Sequence, residues 1–247
     1  MKDRLDSLLL KRGLAKSQQQ AKALIMSGVI LVDNLRIDKA GNTVDINAEI
    51  RVKGIKEGNT YVSRGGIKLA KALERFRVTV QDKIALDIGA STGGFTDCLL
   101  QHGAKKVYAL DVGYGQLAWK LRIDPRVILL ERKNIRCLGK EELPELADLI
   151  TIDVSFISLT KVLPIAKNIV KESGYIIALI KPQFEVDKGE VERGGIIKDW
   201  RKHKKVIRKI GNCALELGLK VSKLIPSPIY GQGGNKEFFV LIKTTDN

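Results

Sequence analysis

Residues 84–100 read IALDIGASTGGFTDCLL, and this stretch decides the fold. Apolar residues 84–86 lead into Asp87, a glycine-rich turn follows, and a segment of helical composition comes next. That is the strand–loop–helix opening of a nucleotide-type α/β sheet, whose ligands lie beyond the carboxyl ends of the strands. Gly89, Gly93 and Gly94 let the backbone turn tightly and approach a ligand with no Cβ in the way. The N–H groups that open the next helix point at the same spot. Taken alone, such a loop also serves as a plain structural turn in other α/β domains.

Ser91 stands where the dinucleotide fingerprint Gly-x-Gly-x-x-Gly has its second glycine, which disfavours a pyrophosphate. A ligand with a ribose and an amino acid but no phosphate fits better, and S-adenosylmethionine is the obvious one. Asp87, Gly89, Ser91, Thr92, Gly93, Gly94 and Phe95 are then the expected cofactor loop.

Working outward, apolar runs predict strands at 83–87, 107–111, 127–130, 149–153, 175–181, 219–224 and 237–242, with helices between them. The expectation is a doubly wound, Rossmann-like sheet of seven strands. The last two, joined by the Pro/Gly-rich segment 226–234, are candidates for an antiparallel hairpin at one end. Asp87, Asp111 and Asp153 each end a strand, at the edge where ligands bind. Asp111 stands where a carboxylate grips ribose hydroxyls, Val112 and Gly113 would line the adenine side, and Asn134 could bond the adenine edge. Lys181 closes an apolar strand, so partial desolvation is expected to lower its pKa. Lys68, beside a glycine pair near the start of a helix over 67–76, would lower it further. Lys181 is thus a candidate general base, with Glu237 able to orient the pair.

The 247 residues suffice for a large and a small domain, and 44% apolar content is ordinary for a soluble protein. The charge is unusual: 43 Lys and Arg against 28 Asp and Glu give +15, which favours a polyanionic partner, nucleic acid before membrane. Cys98, Cys137 and Cys213 lie far apart, and neither His102 nor His203 completes a ligand spacing, so neither a zinc site nor a disulfide framework is expected. No apolar run approaches the ~20 residues of a membrane span. The N-terminus lacks the marks of a signal peptide, which points to the cytoplasm.

Residues 1–57 read as a separate α+β unit, joined through a polar linker at 58–64 to a domain over 65–247. Leu5, Leu8 and Leu9 mark one amphipathic helix, which Gly13 stops. Ser17 caps a second, with Ala21, Leu24 and Ile25 inward, and short strands follow at 29–32, 34–37 and 49–52. Lys11, Arg12, Lys16 and Lys22 gather around the helix–helix turn. With Arg4, Gln20 and Arg64 they are the candidate RNA-phosphate contacts.

Two resemblances follow from these residues. Arg4-Leu5-Asp6, Leu8-Leu9, Gly13-Leu14-Ala15, Ser17, Ala21, Ile25 and Gly28 resemble the alpha-L RNA-binding motif, the S4 domain. Gln18 stands where that family commonly has an arginine. The stretches 87–95, 111–117 (DVGYGQL), 153–159 (DVSFISL), 181–185 (KPQFE) and 234–237 (GNKE) resemble the TlyA (hemolysin A) family, which has an FtsJ-like catalytic domain. The resemblance implies S-adenosylmethionine-dependent 2′-O-methylation of ribosomal RNA, at a cytidine, with no metal required. It implies a catalytic tetrad of Lys68, Asp153, Lys181 and Glu237. The short end at 243–247 resembles the form that acts on the large subunit alone. Two competing functions are a cytolysin, as the family's older name suggests, and an RNA-binding scaffold with an inactive catalytic domain. The loop 185–198 and the basic helix 198–209 are further candidates for RNA contact.

Overall fold

The computed structural model describes residues 2–15, 17–26, 28–33, 35–52, 61–138, 143–187, 189–191 and 194–244. Lys16, residues 53–60, which include 58–60 of the expected joint, and residues 245–247 lie outside the described residues. The chain divides into two compact units, Met1–Arg64 and Gly65–Asn247.

The first unit runs β1 (Lys2–Arg4), α1 (Leu5–Lys11), α2 (Gln18–Met26), β2 (Ile30–Val32), β3 (Leu35–Ile37), β4 (Thr43–Asp45) and β5 (Ile50–Val52). β2 pairs antiparallel with both β3 and β5, and β1 pairs with β4. The β1–β4 pair was not expected, because Lys2-Asp3-Arg4 has no apolar alternation for a sequence pattern to catch. Leu5, Leu9, Ala21, Ile25 and Ile30 are fully buried between helices and sheet. Gly13 adopts φ +69° and ends α1, with the Leu14 N–H donating to the Leu9 carbonyl. Asp6 is buried in this core, where the Arg4 guanidinium holds its carboxyl below the usual range.

The second unit opens with α3 (Arg64–Phe76), whose Leu69, Ala72, Leu73 and Phe76 recur at helical spacing and are buried. There follow β6 (Ile84–Ile88), α4 (Gly94–Gln101), β7 (Lys106–Asp111), α5 (Trp119–Arg122), β8 (Val127–Glu131), β9 (Ala147–Ile152), α6 (Leu163–Ile169), β10 (Val170–Ile180), α7 (Pro182–Glu185), α8 (Trp200–Glu216), β11 (Leu219–Pro226) and β12 (Phe238–Thr244). All seven expected strands form one sheet, in the order β11-β12-β10-β9-β6-β7-β8. β10, β9, β6, β7 and β8 run parallel, while β12 is antiparallel to both β10 and β11. β10 begins five residues earlier than expected, across a register shift at Val170/Tyr175 where the sequence is polar.

This order positions the site. β6 lies mid-sheet, with β7 and β8 on one side and β9 and β10 on the other. The chain reverses direction of travel across the sheet between β6 and β9, so the loops after these strands part and leave a crevice. Alternation along β6 sends Leu86 and Ile88 into the core shared with α6 and α8, and Ala85 and Asp87 to the opposite face.

Candidate active site

Gly89 follows β6 directly, with φ +87°. A Cβ there would lie 2.4 Å from the backbone oxygen of Asp153, so only glycine lets the two loops meet. Ser91 also takes a left-handed conformation, φ +49°, and its N–H donates to Asp111 Oδ2 at 2.7 Å. The Gly113 N–H donates to the other carboxylate oxygen at 2.6 Å. Asp111 is therefore held rigidly by two backbone donors at the end of β7. Asn134 caps the short turn after β8 through its side-chain oxygen, which accepts from the Arg136 N–H at 3.0 Å. Its amide nitrogen is the group left for a ligand.

A cavity of about 840 Å³ opens along this edge. Of the expected cofactor residues, Gly89, Ser91, Asp111, Val112, Asn134 and Asp153 line it. Asp87, Thr92, Gly93, Gly94 and Phe95 are not among the residues that line it. Phe95 packs into the core on Phe239, ring centroids 6.0 Å apart. Gly93 turns under Leu117 and Leu121. Asp87 is fully buried and accepts from the hydroxyls of Thr96 (2.7 Å) and Thr151 (3.0 Å). It braces the loop from below.

Burial pushes the Asp87 carboxyl up to about 7, against the two threonine donors. A carboxyl raised on folding favours the native state below its unfolded pKa, and that contribution is lost as pH rises through the folded value. The native state should therefore lose up to about 4 kcal/mol between pH 4 and 8 relative to Asp87→Asn. Urea midpoints of both proteins across that range check this, and parallel curves would contradict it.

The four residues assigned to a catalytic tetrad form two ion pairs. Lys181 Nζ lies 2.6 Å from Asp153 Oδ1 and donates to Ser155 Oγ at 3.1 Å. The contact with Asp153 is off-axis, so it is a charge contact more than an aligned hydrogen bond, and that oxygen has no hydrogen-bond donor. Lys68 Nζ donates to Glu237 Oε2 at 2.6 Å, both groups nearly buried. The expected pairing of Lys68 beside Lys181 is thus resolved into separate carboxylate partners. Ile180 faces Phe238 in the β10–β12 ladder, so Lys181 and Glu237 are the next opposed pair beyond the strand ends. Gly231 packs on Glu237: a Cβ there would fall 1.9 Å from Oε1. Gly231→Ala is expected to displace that carboxylate, break its pair with Lys68 and cost roughly 10²-fold in turnover. Steady-state kinetics with a melting curve check this; a wild-type rate would contradict it.

Sequence reasoning missed part of the cavity wall. Phe156 is 91% exposed with φ +63° and packs at a tilt of 53° against Phe184, centroids 4.8 Å apart. Glu185 is buried and accepts from Ser158 Oγ (2.6 Å) and the Leu159 N–H (2.7 Å), tying α7 to the loop that carries Ser155 and Phe156. Burial pushes its carboxyl up. Ile135, Arg136, Lys161 and Lys209 also line the cavity. Asn235 holds the segment before α8, accepting from the Ile197 N–H (2.9 Å) and donating to the Gly195 carbonyl (2.8 Å). Residues 188, 192 and 193 of the 185–198 loop lie outside the described residues. His203 is buried with Nε2 2.9 Å from the Ile197 carbonyl, and the exposed His102 has Nδ1 2.8 Å from the Cys98 carbonyl.

In the first unit, several expected RNA contacts have other partners. Arg12 donates to the carbonyls of Ala48 and Ile46 and fastens α1 to the turn before β5. Arg4 pairs with Asp6, and Lys11 with Asp3. Gln18 donates to Asp6, so the residue in place of the family's arginine supports the core. The Gln20 N–H is capped by Ser17. Lys22 and Arg64 are exposed.

The fold and this edge define a class: an α/β domain whose nucleoside-type cavity abuts a lysine–carboxylate cluster at the strand ends. The chain belongs to the FtsJ-like methyltransferase family, whose model matches residues 61–244, and an S4 domain matches residues 3–50. It is 44% identical over 241 residues to the 16S/23S rRNA (cytidine-2′-O)-methyltransferase TlyA of Mycobacterium tuberculosis, covering 98% of this chain and 90% of the relative. It is 43% identical over 237 residues to hemolysin A of Brachyspira hyodysenteriae, covering 95% and 97%. A solved candidate hemolysin from Streptococcus thermophilus superposes with a TM-score of 0.75 at 44% identity, over 100% of this chain and 90% of that one. Among the described residues, no helix is long and apolar enough to cross a membrane.

Proposed function

We propose that this protein methylates a ribose 2′-OH, that of a cytidine, in ribosomal RNA, using S-adenosylmethionine, in the cytoplasm. In this reading residues 1–57 dock on structured rRNA, 58–64 join the units and 65–247 catalyse. The observation that carries it is Lys181 Nζ, fixed by Asp153 and Ser155 beside the cavity of Asp111.

The cavity suits this cofactor. Asp111 and Asp153 put carboxylates on its strand-end wall, and Arg136, Lys161 and Lys209 put cations on the rest of its lining, which suits a ligand that carries charges of both signs. The rigid Asp111 carboxylate would take the ribose hydroxyls, the Asn134 amide the adenine edge, and Val112 and Ile135 the faces of the base. The cofactor, when bound, supplies a methyl carbon made electrophilic by its sulfonium.

The remaining work falls to the chain. Lys181 would hydrogen-bond the 2′-OH and take its proton. Asp153 and Ser155 aim that nitrogen, and the Lys68–Glu237 pair walls the adjoining strand end. Phe156 offers an exposed aromatic face to an unstacked base. Only RNA carries the attacking group, so DNA of the same sequence should be inert.

Incubating the protein with radiolabelled S-adenosylmethionine and each ribosomal subunit from a strain lacking the gene tests the reading. Label in rRNA is expected. Absence of label from both subunits and from naked rRNA, with cofactor binding intact, would overturn it in favour of an inactive scaffold. Leakage of liposomes by the purified protein would favour a cytolysin.

A further inference from the structure

We propose that the outer face of α8 is a second RNA-contact surface, holding the phosphate backbone of the RNA whose ribose is delivered to Lys181. The inference rests on the RNA-methylation reading above.

The orientation of α8 is fixed by its inner face, where His203, Val206, Ile210 and Ala214 are buried. Arg201, Lys204 and Arg208 therefore point outward along one stripe, with neighbours about 5–6 Å apart. With Trp200, Lys205 and Lys209 they line a shallow groove of about 530 Å³ that contains no carboxylate. Lys205 is paired with Asp187 and Glu190 from the flanking loop, and Lys209 donates to the Glu185 carbonyl. Among the described residues, Arg201, Lys204 and Arg208 meet no carboxylate.

This arrangement is unfavourable for the helix itself. Like charges three and four residues apart repel, and cations in the N-terminal half oppose the helix dipole. A face that only needs solvation would mix signs. Trp200 adds a second observation. It is 57% exposed, and Lys204 Nζ sits 4.3 Å from its ring centroid. An exposed aromatic among cations is the pairing that binds single-stranded RNA, the ring stacking a base while the cations follow the phosphates. The groove also leads somewhere: Lys209 lines both it and the cavity of Asp153 and Phe156. A strand lying on α8 is thereby directed to the reacting edge.

The test uses the full chain carrying Arg201→Gln, Lys204→Gln and Arg208→Gln together, with Trp200→Ala as a separate variant. Binding to unmodified rRNA is measured by filter retention across a KCl series. Melting temperature and S-adenosylmethionine affinity serve as controls for folding and are expected to match the wild type. The triple variant should bind roughly tenfold or more weaker, and its salt slope should fall by about 2–3, one counterion-release increment of 0.7–0.9 per lost phosphate contact. Trp200→Ala should weaken binding about tenfold without changing the slope. Unchanged affinity and slope in the triple variant would overturn the proposal, while methylation by the wild type in the same preparation would leave the enzymatic reading standing. Loss of binding to phosphatidylserine vesicles with RNA affinity intact would also overturn it, marking the face as a membrane contact.

Discussion

Lys181→Ala is expected to lower the methylation rate on the order of 10³-fold while leaving the fold and cofactor affinity near wild type. A positioned proton acceptor typically supplies 10²–10⁴-fold. Lys181 is the group whose nitrogen is held by two neighbours, Asp153 and Ser155, at the strand edge. Its removal leaves Asp153 without its counter-charge but strips no cavity wall, since Lys181 does not line the cavity. The loss should thus appear in kcat, with KM for RNA little changed. Single-turnover rates of the two proteins check this. A variant with the wild-type rate would remove Lys181 from the chemistry.

Gly89→Ala should have the other large effect. The new Cβ would meet Asp153 O at 2.4 Å and Asp153 C at 2.9 Å, both backbone atoms with nowhere to go. At φ +87° an L-residue is also strained, by about 1–2 kcal/mol. The loops after β6 and β9 would be forced apart, and S-adenosylmethionine affinity should fall about 100-fold or more, with a lower melting temperature. Ser91→Gly is the contrasting control: Ser91 already sits at positive φ with its N–H on Asp111, so glycine relieves strain and keeps the bond. Isothermal titration of the three proteins decides. Wild-type affinity in Gly89→Ala would mean that the loops do not form the cradle.

Much of this was legible in the chain. Seven apolar runs between charged or glycine-rich breaks became seven strands, and the central parallel ones were the plainest, because strands buried on both faces read as continuous apolar segments. Strand-end carboxylates marked the ligand edge, and Asp111 and Asp153 stand there. Asp87 lies one residue short of that edge, on the face of Ala85, and points inward to Thr96 and Thr151. Phe95 was taken for loop and is core, since the first turn of α4 already faces the sheet. No local pattern could pair Lys68 with Glu237, which are 169 residues apart; strand-end placement only set Glu237 near the two lysines, and the family resemblance put them in one tetrad. Phe156, Phe184 and Lys209 were invisible as a set, because three separate elements carry them to one cavity. Arg12 reads as a surface cation until its two carbonyl acceptors are seen.

The central claim is that the methyl group goes to a ribose oxygen under the control of Lys181. Nuclease digestion of rRNA to nucleosides, followed by mass spectrometry, tests it most directly. The comparison is a strain lacking the gene, complemented with the wild type or with Lys181→Ala. The expected result is 2′-O-methylcytidine that appears with the wild type and is missing with Lys181→Ala at equal protein level. A base-methylated nucleoside in its place, or the same 2′-O-methylcytidine in both strains, would contradict the account.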